Sequence, residues 1–192
     1  TVKVIGNVIQ SAGSHFVDAG IIGPPPRKQG TTRFYASGSE AERFETLTTH
    51  GLDVRVIGTE IGQASGIKMT YAALTKGTTA LTTELLVAAW RMGLFDSLKD
   101  EFLLSQAARF AAMENGLPTM PPKSRRGIGE MEEIAKTFED LGLTPKIYLG
   151  AADVYRFVGQ TDLAEETPET RDKNRTLDQM IEILAKASQQ VS

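Results

Sequence analysis

One lysine stands in a sequence pattern that could support proton transfer. Lys68 follows three glycines at every fourth position, Gly58, Gly62 and Gly66, and both of its chain neighbours are apolar. Glycines at this spacing on a helix would clear a groove for another backbone or a flat ligand. Loss of solvation lowers a lysine pKa from about 10.4 toward neutrality, which suits proton exchange in a carbonyl–alcohol interconversion. The alternative is a helix-packing glycine face with a surface lysine whose stem lies along apolar neighbours.

A second segment joins a strand to a loop that could hold a ligand. The stretch from Phe16 to Ile22 is apolar apart from Asp18, and it runs into Gly23 and three prolines. Ligands of α/β sheets bind beyond the carboxyl ends of strands, so this loop is a candidate substrate site. The alternative is a tight turn that the prolines stiffen.

The elements that must position these residues change in character near residue 60. The part before it alternates short apolar runs with Gly and Pro, and Ser39 is expected to cap a helix. Nearly everything after it has helical spacing. The predicted fold class is therefore α/β followed by all-α, with a first domain over residues 1–58 and an all-helical domain over residues 59–192. The segments expected to be strands are 15–19, 33–38 and 53–58, and those expected to be helices are 2–11, 62–92, 98–114, 130–141, 147–158 and 177–187.

Composition excludes several classes of function. The chain has 192 residues, 41% of them hydrophobic, no cysteine and a formal net charge of −3. Disulfides, thiolate zinc sites and cysteine nucleophiles are excluded, and no metal site is expected from His15 and His50, which lie at opposite ends of the α/β part. Acidic and basic residues are intermixed and no long apolar run occurs, so we expect no nucleic acid or membrane partner and a cytoplasmic protein.

The two segments together resemble a known enzyme family. The sequences FVDAGIIGPPP…GTTRFYASG and VIGTEIGQASGIKMTYAALTKG are similar to those of the β-hydroxyacid dehydrogenases, which include 3-hydroxyisobutyrate and 6-phosphogluconate dehydrogenases. The likeness runs from about residue 1 to about residue 158, and it is strongest to a branch of phosphogluconate dehydrogenase-like NAD-binding proteins with a C-terminal domain of unknown function. The resemblance implies the C-terminal part of a Rossmann-type domain followed by a helical domain like that of 6-phosphogluconate dehydrogenase.

The resemblance also implies roles for individual residues. Lys68 would be the catalytic lysine, and Gly62 would let the nicotinamide side of the cofactor approach. Asp18 and Gly23 match the substrate strand of the family. A lysine–aspartate pair on the cofactor side of the family's helical domain falls here on Gly129 and Glu130.

Several positions depart from the family pattern and put its usual carboxylate site in doubt. The family's serine falls on Ile22, its second glycine on Pro24, and the asparagine after its lysine on Ala72. Polar groups that could replace them on or near the same helix are Tyr71, Thr75 and Lys76. These replacements suggest a different or larger substrate, and Lys76 could hold a substrate anion or be a plain surface lysine.

The chain lacks the dinucleotide fingerprint G-x-G-x-x-G. The expectation is therefore a C-terminal piece, cut at Thr1, of an enzyme that uses NAD or NADP with a hydroxy acid or carbonyl substrate. The alternative is a helical dimerisation or ligand-binding module without redox turnover. Family helical domains pair, so the resemblance implies a homodimer, with contacts expected around Leu85, Val87 and Trp90.

Overall fold

The computed structural model describes residues 2–189. Thr1, at which the sequence suggested a cut, lies outside the described residues. The chain divides into two compact units, Thr1–Tyr71 and Ala72–Ser192, so that the border falls inside one long helix. The domain border expected between residues 58 and 59 stays a prediction. No helix in the described part of the chain is long and apolar enough to cross a membrane.

The first unit contains a three-stranded sheet. Strand β2 lies in the middle, antiparallel to β1 and parallel to β3. The elements in chain order are α1 (Val2–Ser11), β1 (Asp18–Ile22), β2 (Arg33–Ser37), α2 (Ala41–Glu45), a 3-10 turn (Thr46–His50), β3 (Asp53–Gly58) and the start of α3 (Gln63–Arg91).

Alternation along β1 decides which of its side chains face inward. Asp18, Gly20 and Ile22 are buried, whereas Ala19 and Ile21 are exposed, as expected for a strand with one covered face. The small core of this unit lies elsewhere, around Ala36, Ala41 and Val54, where partly buried side chains such as Phe34 and Phe44 pack. Apart from Ile22, the inward face of β1 carries only Asp18 and Gly20, and helix α3 approaches it.

Three expectations for this unit are wrong. The first strand begins at Asp18 rather than at His15, which is exposed. Ser39 caps no helix, because Glu40 occupies the N-cap position of α2 and makes no capping hydrogen bond. The glycines at every fourth position do not share a helix face, because Gly58 ends β3 and Gly62 precedes α3.

The second unit consists of helices around an apolar core. Its elements after α3 are α4 (Phe95–Ser105), α5 (Ala107–Gly116), 3-10 turns at Leu117–Thr119 and Pro121–Lys123, α6 (Ser124–Asp140), α7 (Lys146–Gly159), a 3-10 turn at Asp162–Glu165 and α8 (Leu177–Ala187). Its fully buried side chains include Leu86, Phe110, Met131, Ile134, Val158, Met180, Ile181 and Leu184. Burial of such side chains is the main stabilising contribution to this unit.

The helical unit corrects further expectations. The helix predicted over residues 98–114 is two helices, because Gln106 leaves the helical region with φ −142° and ψ 38°. Gly116 is no left-handed cap, since its φ is −94°, and the prolines after it form 3-10 turns rather than an irregular loop. Helix α6 begins at Ser124 instead of Glu130. The predicted fold class of a small α/β part followed by helices is nevertheless confirmed.

Candidate functional site

The buried carboxylate of Asp18 caps helix α3. Its Oδ2 accepts hydrogen bonds from the backbone N–H of Gly62 at 3.0 Å and of Ser65 at 2.9 Å. Its Oδ1 accepts the hydroxyl of Ser65 at 2.6 Å. A carboxylate at a helix N-terminus satisfies otherwise unpaired N–H groups and interacts favourably with the helix dipole. Asp18, expected to bind substrate, therefore has a structural role, and its substrate role stays a prediction.

Ser37 joins the middle strand to the same helix start. It lies opposite Asp18 in the β1–β2 pairing and is fully buried. Its hydroxyl donates to Asp18 Oδ2 at 3.3 Å and accepts the backbone N–H of Ala64 at 3.0 Å. Two adjacent strands thus fix the first turn of α3 through side chains.

Gly20 allows the helix to approach the sheet closely. A Cβ atom on this glycine would lie 2.6 Å from the backbone oxygen of Ala64 and 3.3 Å from the Cβ of Lys68. Real Cβ atoms do not come as close as 2.6 Å to a backbone oxygen. Any other residue type at this position would therefore require the backbone to move. The backbone of Lys68 is therefore held against the centre of β1.

The Lys68 side chain is exposed. Its exposure differs from the loss of solvation that the sequence suggested. Its catalytic role stays a prediction, and the structure gives its position instead: close behind a capped helix start and beside β1.

The loop after β1 folds back on the start of β2. Gly23 has φ +123°, and a Cβ there would collide with the backbone oxygen of Thr31, so this position requires glycine. The hydroxyl of Thr32 donates to the carbonyl of Pro24. Ile22 is buried and lacks the hydroxyl of the family's serine, and Pro24 is exposed and lacks the backbone N–H of the family's second glycine.

Three expected substrate residues lie on α3 beyond Lys68. Tyr71 and Thr75 are exposed, and Ala72 is half-buried. Gly62, expected near the cofactor, has φ +106°, and its N–H is used by Asp18.

In the helical unit, Glu130 lies between two cations. It forms an ion pair with Lys76 of α3 and another with Arg126 one turn before it, at 3.3 Å. Gly129 is exposed and a Cβ there would meet open space. The sequence singled out Lys76 and Glu130 separately, and the structure brings them together.

Tyr155 of α7 is buried close to Lys76 and Glu130. Gly127 of α6 is needed there, because a Cβ would collide with the Tyr155 ring. The phenol donates to the backbone carbonyl of Lys76 at 3.4 Å, and its burial raises the pKa of Tyr155 to about 12. A cavity of about 130 Å³ lies beside these side chains.

Sequence reasoning missed several of these residues. Ser37 and Ser65 gain their roles from partners on other elements, which no local motif marks. Arg126 lies four residues before Glu130, and this helical spacing could have shown the ion pair. The signal that could have found the cap was a lone acid, Asp18, at the start of an otherwise apolar strand. Among residues 2–189, no group of three or more His, Cys, Asp or Glu side chains could hold a metal ion.

The chain is similar to a known domain family and to solved structures. Residues 89–158 match DUF1932, a domain of unknown function. Conserved protein MTH1747, itself of unknown function and reported to be structurally similar to 3-hydroxyacid dehydrogenases, matches with 32% identity and a TM-score of 0.64, over 82% of this chain and 61% of its own. The chain thus contains a match to DUF1932 and is similar to a protein that itself resembles 3-hydroxyacid dehydrogenases in structure, which confirms the resemblance drawn from its sequence.

Two further relatives are similar over part of their length. An uncharacterized 28.5 kDa protein in the 7S RNA 5' region of Methanothermus fervidus is 30% identical over 131 residues, which are 68% of this chain and 51% of that protein. A conserved hypothetical protein from Sinorhizobium meliloti 1021 shares the fold at 22% identity, with a TM-score of 0.77, over 97% of this chain and 62% of its own. The chain spans about half of the curated relative's length.

Proposed function

We propose that this chain provides the acid/base lysine of an NAD(P)-dependent oxidoreductase of the β-hydroxyacid dehydrogenase type. The substrate class is a hydroxy acid or a related carbonyl compound. The observation that carries the proposal is the position of Lys68, which lies against Gly20 just beyond a helix start that Asp18 caps. Similarity to a protein related in structure to 3-hydroxyacid dehydrogenases supports the same assignment.

In the proposed mechanism, the chain's own residues position a proton donor. Asp18, Ser37 and Ser65 fix the first turn of α3, and the missing Cβ of Gly20 lets the helix lie close to β1. The Nζ of Lys68 then donates a proton to the substrate oxygen during carbonyl reduction and accepts it during alcohol oxidation. Its exposure leaves the ammonium group accessible to a substrate.

The hydride would come from NADH or NADPH, or go to their oxidised forms. The 192 residues contain no G-x-G-x-x-G loop, so this proposal assigns no residue of the chain to the pyrophosphate of the cofactor. Gly129 and Glu130 remain the candidates on this chain for contact with the cofactor.

The experiment compares Lys68→Ala and Lys68→Arg with Lys146→Ala in the protein produced from its complete coding sequence. Lys146 is an exposed lysine of the helical unit and is the matched control. We expect Lys68→Ala to lower kcat by about 100-fold or more, the usual contribution of a general acid/base, while the cofactor Kd stays unchanged. Lys68→Arg should also fail, because a guanidinium does not release its proton.

Two results would contradict the proposal. One is turnover by Lys68→Ala at the rate of the Lys146→Ala control. The other is absence of nicotinamide binding, measured by fluorescence titration, in the protein from the complete coding sequence.

A second function, homodimerisation through α3, has an observation of its own. Leu74 and Leu81 of α3 are 71% and 63% exposed, and they share one helix face because a spacing of seven residues is close to two turns. The contact expected around Leu85, Val87 and Trp90 stays a prediction, although Val87 is buried within the chain. Sedimentation should show a dimer that Leu81→Glu dissociates and that an exposed control, Leu104→Glu, leaves intact.

A further inference from the structure

We propose that Tyr35 is a second catalytic residue, whose phenol donates a hydrogen bond to the substrate oxygen that exchanges a proton with Lys68. The inference rests on the proposed function and extends its site to strand β2. Every residue that carries the inference lies within the first unit.

Tyr35 and Lys68 lie on the same face of the sheet. The face that α3 covers is marked by Asp18 and Ser37, which are opposite each other in the β1–β2 pairing and both bond to the start of α3. Gly20 and Tyr35 form the pair two positions further along. Since side chains alternate along a strand, Tyr35 points to the same face as Ser37 does.

The missing side chain of Gly20 leaves room between Tyr35 and Lys68. A Cβ on Gly20 would lie 3.3 Å from the Cβ of Lys68. Directly opposite residues of antiparallel strands have Cβ atoms about 4.5–5.5 Å apart, so the Cβ atoms of Tyr35 and Lys68 are at most about 9 Å apart. Both side chains are long enough for their polar ends to meet one substrate oxygen.

The other side chains on this face of β1 and β2 are less suited to the role. The carboxylate of Asp18 and the hydroxyl of Ser37 are both occupied by the start of α3. Ile22 is apolar, and Arg33 lies opposite it, one pair further from Gly20 than Asp18 is on the other side. Among the described residues of these two strands, the half-buried Tyr35 carries the hydroxyl that the helix start does not use.

Arg55 of β3 orients the phenol. It is paired with Tyr35 in the parallel β2–β3 ladder, and its guanidinium donates two hydrogen bonds of 3.0 Å to Asp53. Hydrogen bonding to Asp53 raises the pKa of Arg55, and hydrogen bonding to Tyr35 makes a smaller contribution in the same direction. A guanidinium only donates, so the phenol oxygen accepts from Arg55 and the phenol proton is left for another acceptor.

A phenol in contact with a cation is a suitable donor to an oxygen that gains negative charge. During carbonyl reduction, the substrate carbon accepts the hydride while the substrate oxygen takes the Nζ proton of Lys68. The Tyr35 phenol keeps its own proton throughout and stabilises the charge that develops on that oxygen. In alcohol oxidation the same contact holds the hydroxyl oxygen while Lys68 accepts its proton.

The first measurement is titration calorimetry, without cofactor, of the protein from its complete coding sequence. The probes are 3-hydroxypropanoate and propanoate, which lacks the hydroxyl. We expect the hydroxy acid to bind more tightly, and Tyr35→Phe should reduce this preference about three- to tenfold, the usual contribution of one hydrogen bond. Tyr148→Phe, at a half-buried position of the helical unit, is the matched control and should keep the preference.

The second measurement is the oxidation of 3-hydroxypropanoate, which distinguishes contact with the reacting oxygen from a structural role. Tyr35→Phe should lower kcat about tenfold or more and change KM less, because the phenol stabilises charge that develops only in the transition state. Arg55 acts through Tyr35 and is a positioning residue. Arg55→Lys, which keeps a cationic donor, should therefore retain more activity than Arg55→Met.

Three results would overturn the inference. They are an unmodified protein that binds both acids equally, a preference that is the same in Tyr35→Phe and Tyr148→Phe, and a kcat that is the same in these two variants. The proposed function fails separately. If the protein binds no nicotinamide, or if Lys68→Ala keeps full turnover, the calorimetric comparison of Tyr35→Phe with Tyr148→Phe still decides whether the phenol contacts the substrate hydroxyl.

Discussion

Asp18 and Ser65 form two hydrogen bonds with each other, 2.6 Å from the serine Oγ to Oδ1 and 2.9 Å from the serine N to Oδ2. The pair joins the first residue of β1 to the first turn of α3 across 47 positions of the chain. The strand start and the helix start are therefore fixed by one carboxylate.

Replacing this carboxylate should destabilise the first unit. In Asp18→Asn, the amide can accept fewer hydrogen bonds and has no charge to interact with the helix dipole. We expect the free energy of unfolding to fall by about 1–3 kcal/mol in urea denaturation. Asp100→Asn, at an exposed position of α4, is the control and should change it by less than about 0.5 kcal/mol. Equal stabilities of the two variants would show that the cap is unimportant.

Two glycines near Lys68 should respond to alanine in opposite directions. Gly20→Ala places a Cβ 2.6 Å from the oxygen of Ala64 and should destabilise the protein by about 1–3 kcal/mol. Gly66→Ala meets open space within α3 and should stabilise it by about 0.5–1 kcal/mol. Thermal unfolding measures both. A loss of stability in Gly66→Ala would contradict the open environment of that position.

Helix α6 offers a matched pair of its own. Gly127→Ala would push the Tyr155 ring away and should destabilise the helical unit by about 1–3 kcal/mol. Gly129→Ala points into open space and should raise stability by about 0.5–1 kcal/mol. Chemical denaturation measures the change in the free energy of unfolding for both variants. If Gly129 also contacts the cofactor, its alanine variant will bind NAD(P) more weakly although it is more stable.

Acid should weaken the ion pair between Glu166 and Arg175. Arg175 holds the pKa of the Glu166 carboxyl below its ordinary value of 4.5. Because the folded pKa is the lower one, the stabilisation is complete above about pH 4.5 and is lost as pH falls through the folded value. Unfolding free energies between about pH 3 and 6 should therefore depend less on pH in Glu166→Gln than in the unmodified protein. Glu169→Gln, exposed in the same loop, should keep the original slope.

The sequence predicts elements well where periodicity is long or strand alternation is clear. Helix α3 was expected over residues 62–92 and extends from Gln63 to Arg91. Helix ends that were predicted from a single Gly or Pro were less accurate. Gln106 breaks a helix although it is neither Gly nor Pro, and Gly116 does not end one in the left-handed conformation.

The candidate site was predictable only in part, because its contacts are long-range. Lys68 stands out in a local motif, but the role of Asp18 depends on Gly62 and Ser65, which are distant in sequence. The same holds for Lys76, whose partner Glu130 is 54 positions away. Charge pairing at such separations is decided by how the helices pack, which composition and spacing do not determine.

Helix termini usually fray, and a side chain close to one moves with the fraying turn. The Asp18 carboxylate removes this freedom from the start of α3, since the first turn can unwind only if its hydrogen bonds to β1 break as well. Lys68 is therefore carried on a helix end that opens only together with its hydrogen bonds to the first residue of β1. A substitution of the exposed Lys68 side chain therefore leaves the hydrogen bonds that hold this helix start in place.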